Sequence, residues 1–297
     1  MSLLKAIFLG IVQGVTEFLP VSSSGHLALF EKLFGLKEAG LSFNVFLHLG
    51  TLIAVVAVYW RDISKLVIEG IGLLSDAVRN LSMWVPYMVA TYAKKQEVQK
   101  PKYYRIIKSA YRKFAMLVIV STIPTGIIGL LGKELVGYAS DTLIVPGICL
   151  IITAILLFMS DQLPDGDKTP KKTNFLHAIF IGTCQGIATL PGLSRSGVTI
   201  TAGEMCGLKR EFAVKYSFIM SIPAILGAML IDAPEMKRDI AFTSPAYYVI
   251  GAIVSAVVGY ICIKTMIIIV RKKNFKYFAY YCATIGMIAV IASFIIK

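Results

Sequence analysis

Apolar residues run along the chain in stretches long enough to cross a bilayer, at 42–60, 114–132, 142–159, 213–231, 246–270 and 277–296. About 20 such residues in a helix cover a hydrocarbon core, so each stretch predicts a spanning helix. Two further apolar stretches, 3–34 and 175–207, break the pattern. A polar knot containing Pro and Gly interrupts each near its middle, LPVSSSGH in the first and LPGLSRSGV in the second. A continuous spanning helix does not readily carry such an interruption. A pair of short helices that dips into the membrane and returns does, and we prefer it to two ordinary spans with polar kinks.

The two interrupted stretches are copies of one another. LKAIFLGIVQGVTEFLPVSSSG (4–25) aligns with LHAIFIGTCQGIATLPGLSRSG (176–197). Ala6/Ala178, Phe8/Phe180, Gly10/Gly182, Gln13/Gln185 and Gly14/Gly186 agree at a constant offset, and Ser22/Ser194, Ser24/Ser196 and Gly25/Gly197 agree at the same offset after a compensated deletion. The chain therefore reads as an internal duplication. Repeat one covers 1–160, with re-entrant hairpin 3–34, spans 42–60, 114–132 and 142–159, and an amphipathic cytoplasmic loop 61–113. Repeat two covers 175–297, with re-entrant hairpin 175–207 and spans 213–231, 246–270 and 277–296. Three crossings per half is an odd number, so the second half is expected to be inverted. Inverted repeats with broken helices near the midplane are a known membrane architecture. The expected fold class is an all-α integral membrane protein forming one membrane domain.

Charge orients this arrangement. The stretch 61–113 carries eleven Lys and Arg residues, among them Arg61, Lys65, Arg79, Lys100, Lys102, Arg105 and Lys108, and Lys209, Arg210 and the run RKKNFK at 271–276 fall on the same side. The positive-inside rule puts these segments in the cytoplasm and both chain ends outside. The alternating bases and tyrosines of KPKYYRIIKSAYRKF suit an anionic headgroup layer. The formal charge of +13 is thus explained by membrane topology, and no nucleic-acid partner is expected. Composition agrees: 57% hydrophobic and 16% charged residues, with mean hydropathy +0.74, lie far from the soluble average. No cleavable leader is expected before the first hairpin. The five cysteines show no CxxC spacing and read as small buried hydrophobes.

The knots carry the candidate chemistry. The first offers Glu17, Ser22, Ser23, Ser24, Gly25 and His26; the second offers Ser194, Arg195 and Ser196. Irregular backbone at membrane depth is tolerated where it lines a wet cavity, and ionisable groups there are functional by default. A serine-rich helix start exposes backbone N–H groups that favour an anion, and Arg195 adds a planar clamp for phosphate or carboxylate. Gln13 is a candidate headgroup ligand or an interhelix hydrogen-bond partner. Ser23 and His26 lie one turn apart, so a serine nucleophile with a histidine base is expected. Glu17 is expected to hold His26 or to bind a divalent ion, Mg2+ or Ca2+, that bridges phosphates. His48, in FLHLG, reads as a packed interfacial histidine.

QGVTEFLPVSSSGH and PGLSRSG, in that order, resemble the two signature motifs of the undecaprenyl-pyrophosphate phosphatase family, the bacitracin-resistance type. The similarity extends to FLHLGTLIAVV and YSFIMSIPAILGA. The resemblance implies a multi-pass enzyme of the bacterial plasma membrane. It would remove one phosphate from a polyprenyl pyrophosphate, recycle the lipid carrier of peptidoglycan synthesis, confer bacitracin tolerance, depend on a divalent cation, and open its active site to the outer face. The family's catalytic positions map onto Glu17, Ser23, His26 and Arg195, with Ser194 on the phosphate side. The family's motif has Glu or Gln, three residues, then Glu; here it is Gln13 and Glu17, the amide variant, which leaves one carboxylate instead of two. Glu204, where an apolar residue is expected, and Lys215, where members often carry an acid, depart from the pattern. A homodimer is left open.

Two other functions fit the sequence less well. A phosphatidic-acid-type phosphatase needs a histidine after the SR pair, and Thr201 stands there. A polyprenyl-phosphate transporter or flippase would share the inverted repeat, but has no need of a nucleophile beside a base.

Overall fold

The computed structural model describes residues 2–33, 40–94, 99–239 and 245–295. Twelve helices appear among them: α1 (Leu3–Phe18), α2 (Ser23–Leu33), α3 (Gly40–Val58), α4 (Trp60–Lys94), α5 (Ala110–Leu131), α6 (Lys133–Ser140), α7 (Ile144–Gln162), α8 (Phe175–Ile187), α9 (Arg195–Met205), α10 (Arg210–Asp239), α11 (Pro245–Arg271) and α12 (Lys276–Ile295). The described residues form no strand, only one isolated bridge between Lys168 and Leu208. Five helices are long and apolar enough to cross a membrane: α5, α7, α10 as far as Ala233, α11 and α12. A sixth span is counted when α3 and α4, bent by 88° at their junction, are taken together. The chain is an all-α, multi-pass membrane protein, and its outward faces are apolar, as at Ile123, Leu230, Ile253 and Phe294.

Both interrupted stretches fold as two short helices joined by a loop. α1, with 16 residues, is about 24 Å long, and α2, α8 and α9 are shorter still, so none of them spans alone. Proline explains the first break: Leu19 precedes Pro20 and leaves the helical region at φ −71°, ψ 141°. Ser22 then sits at φ 71°, an uncommon left-handed conformation for a residue with a side chain. In the second loop Gly192 takes the positive φ, 94°, and an added Cβ there would meet the Pro146 carbonyl oxygen at 2.2 Å.

The two copies are held in matching ways. Ser2 caps α1 by accepting from the Lys5 N–H, and Asn174 caps α8 by accepting from the His177 N–H. A Cβ on Gly10 would strike the Gly251 carbonyl oxygen at 2.8 Å, and one on Gly182 the Ser121 carbonyl oxygen at 2.1 Å. Thus α1 lies backbone to backbone on α11, and α8 lies likewise on α5. Each hairpin packs against the opposite half, and α3 also meets α10 and α7 meets α12 across the halves. Tyr216, Leu117, Leu150, Leu157 and Phe218 fill the largest core cluster, where Phe18 meets Phe218 edge-on at 5.5 Å.

The loop 61–113 is mostly helix. α4 has 35 residues, about 52 Å at 1.5 Å per residue. Residues 99–109 turn back along its polar face. The Asn80 side chain donates to the Tyr104 carbonyl at 2.8 Å and accepts from its N–H at 2.7 Å. Glu69 and Asp76 take the guanidinium of Arg112, and Lys108 reaches Asp76 at 2.7 Å. α6 was not expected from the apolar pattern. Residue 34 of the first expected hairpin and residue 296 of the last expected span lie outside the described residues.

Glu204 and Lys215 now have partners. Ser160 donates to the Glu204 carboxylate, Arg210 Nε lies 3.5 Å from it, and Arg210 also donates to the Ser160 carbonyl at 2.7 Å. Lys215 donates to both oxygens of Asp62 at 3.0 Å. Next to this cluster Asp165 has its carboxyl held below the usual range by Lys273 at 2.9 Å.

The expected topology is testable by single cysteines at Lys100 and Glu134, both exposed, in a background without native cysteines. An impermeant thiol reagent on intact cells should label Glu134→Cys and spare Lys100→Cys. Labelling confined to Lys100→Cys would reverse the orientation.

Candidate active site

The two loops meet. An added Cβ on Gly25 would lie 2.9 Å from Gly192 Cα, and one on Gly197 3.3 Å from Pro20 Cβ. Each loop is pinned by a helix behind it. Thr153 on α7 donates to the Gly192 carbonyl at 3.1 Å and accepts from the Ser194 N–H at 3.0 Å. Cys282 on α12 faces the Pro20 carbonyl at 3.7 Å.

Serine opens both returning helices in the same way. Ser22 Oγ accepts from the Gly25 N–H at 3.2 Å, and Ser194 Oγ accepts from the Gly197 N–H at 3.1 Å. The companion hydroxyls of Ser24 and Ser196 lie 3.4 and 3.3 Å from the two caps. Ser22 and Ser194 are therefore helix caps. The first N–H groups of α2 and α9, at Ser23, Ser24, Arg195 and Ser196, have no intrahelical acceptor. Two positive helix ends converge on one place.

That place is a cavity of about 610 Å³, with Glu17, Ser22, Ser23, Ser24, Ser194 and Arg195 among its lining residues. Apolar and small groups of α5 and α10, including Gly126, Leu130, Pro223 and Ala224, form other parts of the wall. Lys133 and Asp232, 3.2 Å apart, also line it.

Glu17 is the hub. It is 8% exposed and receives three kinds of donor. Ser23 Oγ donates to Oε2 at 2.6 Å. Gln13 Nε2 donates to the same oxygen at 3.0 Å. Arg195 Nη2 donates to Oε1, crossing from one half of the chain to the other. A carboxylate, a hydroxyl and a guanidinium thus form one continuous set.

His26 is not part of it. Its Nδ1 is 2.8 Å from the Ser22 carbonyl oxygen, and its Nε2 is 2.8 Å from the Tyr281 hydroxyl; its ring stacks on Tyr281 with an interplanar angle of 6°. With Nδ1–H donating to the carbonyl, Nε2 accepts from tyrosine, and both nitrogens are engaged. His26 braces the residue at positive φ and does not meet the Ser23 hydroxyl. The expected nucleophile–histidine pair is a serine–glutamate pair in the structure.

The histidine that does reach the site is His48. Gln13 Nε2 donates to His48 Nδ1 at 2.9 Å, and that nitrogen lies 3.6 Å from Glu17 Oε2. From sequence His48 reads as a packed interfacial histidine at the start of a span, 31 positions from Glu17. Nothing in the sequence marked it, because it meets Gln13 and Glu17 only through the packing of α3 on α1.

The donor set does not suit a resident divalent cation. Among the described residues no three His, Cys, Asp or Glu side chains converge as metal ligands. One oxygen of Glu17 faces a guanidinium and the other accepts two hydrogen bonds, while Asp232, which also lines the cavity, is paired with Lys133. Hard cations in all-protein sites take several free oxygen ligands.

The sequence matches the family described as "Bacitracin resistance protein BacA" over residues 6–288. It is 39% identical over 296 residues, the whole of both chains, to a protein of Methanosphaera stadtmanae named undecaprenyl-diphosphatase. A protein of Desulforapulum autotrophicum with that name is 38% identical, covering 99% of this chain and 100% of the relative. One of Methanobrevibacter smithii, also so named, is 36% identical over 99% and 98% of the two chains.

Proposed function

Because the chain belongs to the bacitracin resistance protein BacA family, we propose that it hydrolyses undecaprenyl pyrophosphate to undecaprenyl phosphate and inorganic phosphate. In the cell this would return the lipid carrier to peptidoglycan synthesis and give tolerance to bacitracin. Its relatives carry the name of a diphosphatase, which favours hydrolysis over transport by the same architecture.

One observation carries the chemical reading: the 2.6 Å hydrogen bond from Ser23 to Glu17 at the point where two helix N-termini face a cavity. Ser23 Oγ attacks the terminal phosphorus, and Glu17 takes the hydroxyl proton. The bond from that phosphorus to the bridging oxygen breaks, Glu17 passes the proton to the departing oxygen, and undecaprenyl phosphate leaves with Glu17 ionised again. Water then attacks the phosphoserine, Glu17 accepts a proton from it, and inorganic phosphate is released with Ser23 reprotonated. Arg195 and the N–H groups of Ser23, Ser24, Arg195 and Ser196 hold the phosphoryl oxygens as charge shifts. Ser22 and Ser194 keep those N–H groups aligned. His26 positions the first loop through the Ser22 carbonyl, and Gln13 and His48 orient Glu17. The small, apolar groups of α5 and α10 suit a site that opens towards the acyl region and admits a headgroup still attached to its lipid.

The divalent cation, Mg2+ or Ca2+, is proposed to arrive on the pyrophosphate as part of the substrate. Magnesium typically keeps several waters and takes phosphate oxygens with one or two carboxylates.

Purified protein in detergent, where transport has no meaning, should release inorganic phosphate from undecaprenyl pyrophosphate. EDTA should abolish the release and either cation should restore it. No phosphate under any metal condition would refute the hydrolase; full activity in metal-free buffer would remove the cation alone.

A further inference from the structure

α4 presents a long apolar face that the rest of the chain leaves uncovered. Val67, Ile71, Leu74, Val78, Leu81 and Val85 recur at alternating steps of four and three residues, and all are exposed, Val78 by 65%. This places them in one line along the helix. The opposite face is occupied by Glu69, Asp76 and Asn80, which hold the returning segment 99–109 and Arg112. The helix is thus solvated by its own chain on one side only.

We infer that α4 is an in-plane anchor whose apolar face enters the bilayer on the side of the basic segments and gathers anionic lipid around it. Three observations choose this occupant. α4 leaves α3 at 88°, so that with α3 crossing the membrane α4 runs along its surface. The apolar surface is broad, reaching exposed Ile68 and Val89 on one flank and Trp84 on the other. Such breadth belongs to interfacial helices, whereas a two-stranded coiled coil uses a narrow seam flanked by charges. Here the flanking positions 68, 75, 82 and 89, and 70, 77, 84 and 91, carry no charge. Finally, 61–113 holds eleven bases against four acids, and Arg112 and Lys108 already neutralise Glu69 and Asp76. Lys65, Arg79, Lys100, Lys102 and Arg105 are left to face anionic headgroups. This inference does not depend on the hydrolytic reading.

Both tryptophans of the chain, Trp60 and Trp84, lie on α4 and are exposed, so intrinsic fluorescence reports this helix alone. In a Trp60→Phe variant reconstituted into nanodiscs, Trp84 should be quenched by phospholipid brominated near the headgroup end of its acyl chain. At equal mole fraction, brominated phosphatidylglycerol in phosphatidylcholine should quench about five-fold more effectively than brominated phosphatidylcholine in phosphatidylglycerol, as expected for one neighbouring base. Equal quenching by the two would overturn the anionic preference. Absence of quenching at any bromine depth would overturn the anchor. Disulfide dimers formed in the membrane through Val78→Cys, without native cysteines, would assign the face to a second copy instead.

Discussion

Replacing Ser23 with alanine is expected to lower phosphate release by about four decades or more, because a covalent nucleophile acts as a unit with its base and oxyanion donors. The change removes one oxygen. Ser23 is the first residue of α2 and caps nothing; Ser22 supplies the cap, so the loop should fold unaltered. Loss of the hydroxyl also takes a donor from Glu17, yet Gln13 and Arg195 remain on that carboxylate. The variant should therefore bind substrate and fail in chemistry. Acid-quenched wild-type enzyme, incubated with substrate labelled on the terminal phosphate, should carry label on the peptide containing Ser23, and the variant should carry none. Retention of about a tenth of the rate would show that water attacks directly, with Ser23 only hydrogen-bonded to a phosphate oxygen.

Arg195→Lys should cost nearly as much as Arg195→Ala, about two to three decades in kcat. Lysine keeps the charge opposite Glu17, so the carboxylate stays paired and the two loops stay joined. What it lacks is the planar fork that binds two oxygens of a phosphoryl group at fixed geometry while still meeting Glu17. The comparison separates the two effects: alanine leaves a buried carboxylate without its partner, whereas lysine loses shape alone. If the lysine variant kept most of its activity, Arg195 would act by its field and not as a clamp.

The halves of the fold could be read from sequence because the same glycines, glutamine and serines recur at a fixed offset, and paired glycines and serines do the same job twice, although Gln13 meets Glu17 and Gln185 meets Thr125. Gly10 and Gly182 admit neighbouring backbone, and Ser22 and Ser194 cap. Glu17, Ser23 and Arg195 stood out because their polarity is costly at membrane depth. The neighbours of His26 and His48 did not. A spacing of three residues sets His26 about 60° around the helix from Ser23, but it does not say that Tyr281, 255 positions away, waits on that side. His48 was hidden for the converse reason, since only the packing of α3 beside α1 brings it to Gln13. Glu204 and Lys215 had no sequence explanation because Arg210, Ser160 and Asp62 reach them through tertiary contact.

The reciprocal seating of the two hairpins bears on how such a chain evolves. Glu17 and Ser23 come from one copy and Arg195 from the other, so neither copy contains a working set. A duplicated segment usually gains freedom because its twin preserves the original role. Here that freedom is restricted: each loop is the wall against which the other is cast, and side chains at Gly25 or Gly192 would intrude on the opposite copy. Drift should then be tolerated at the outward faces of α5, α11 and α12, while the two loops are selected jointly, as a lock is selected with its key.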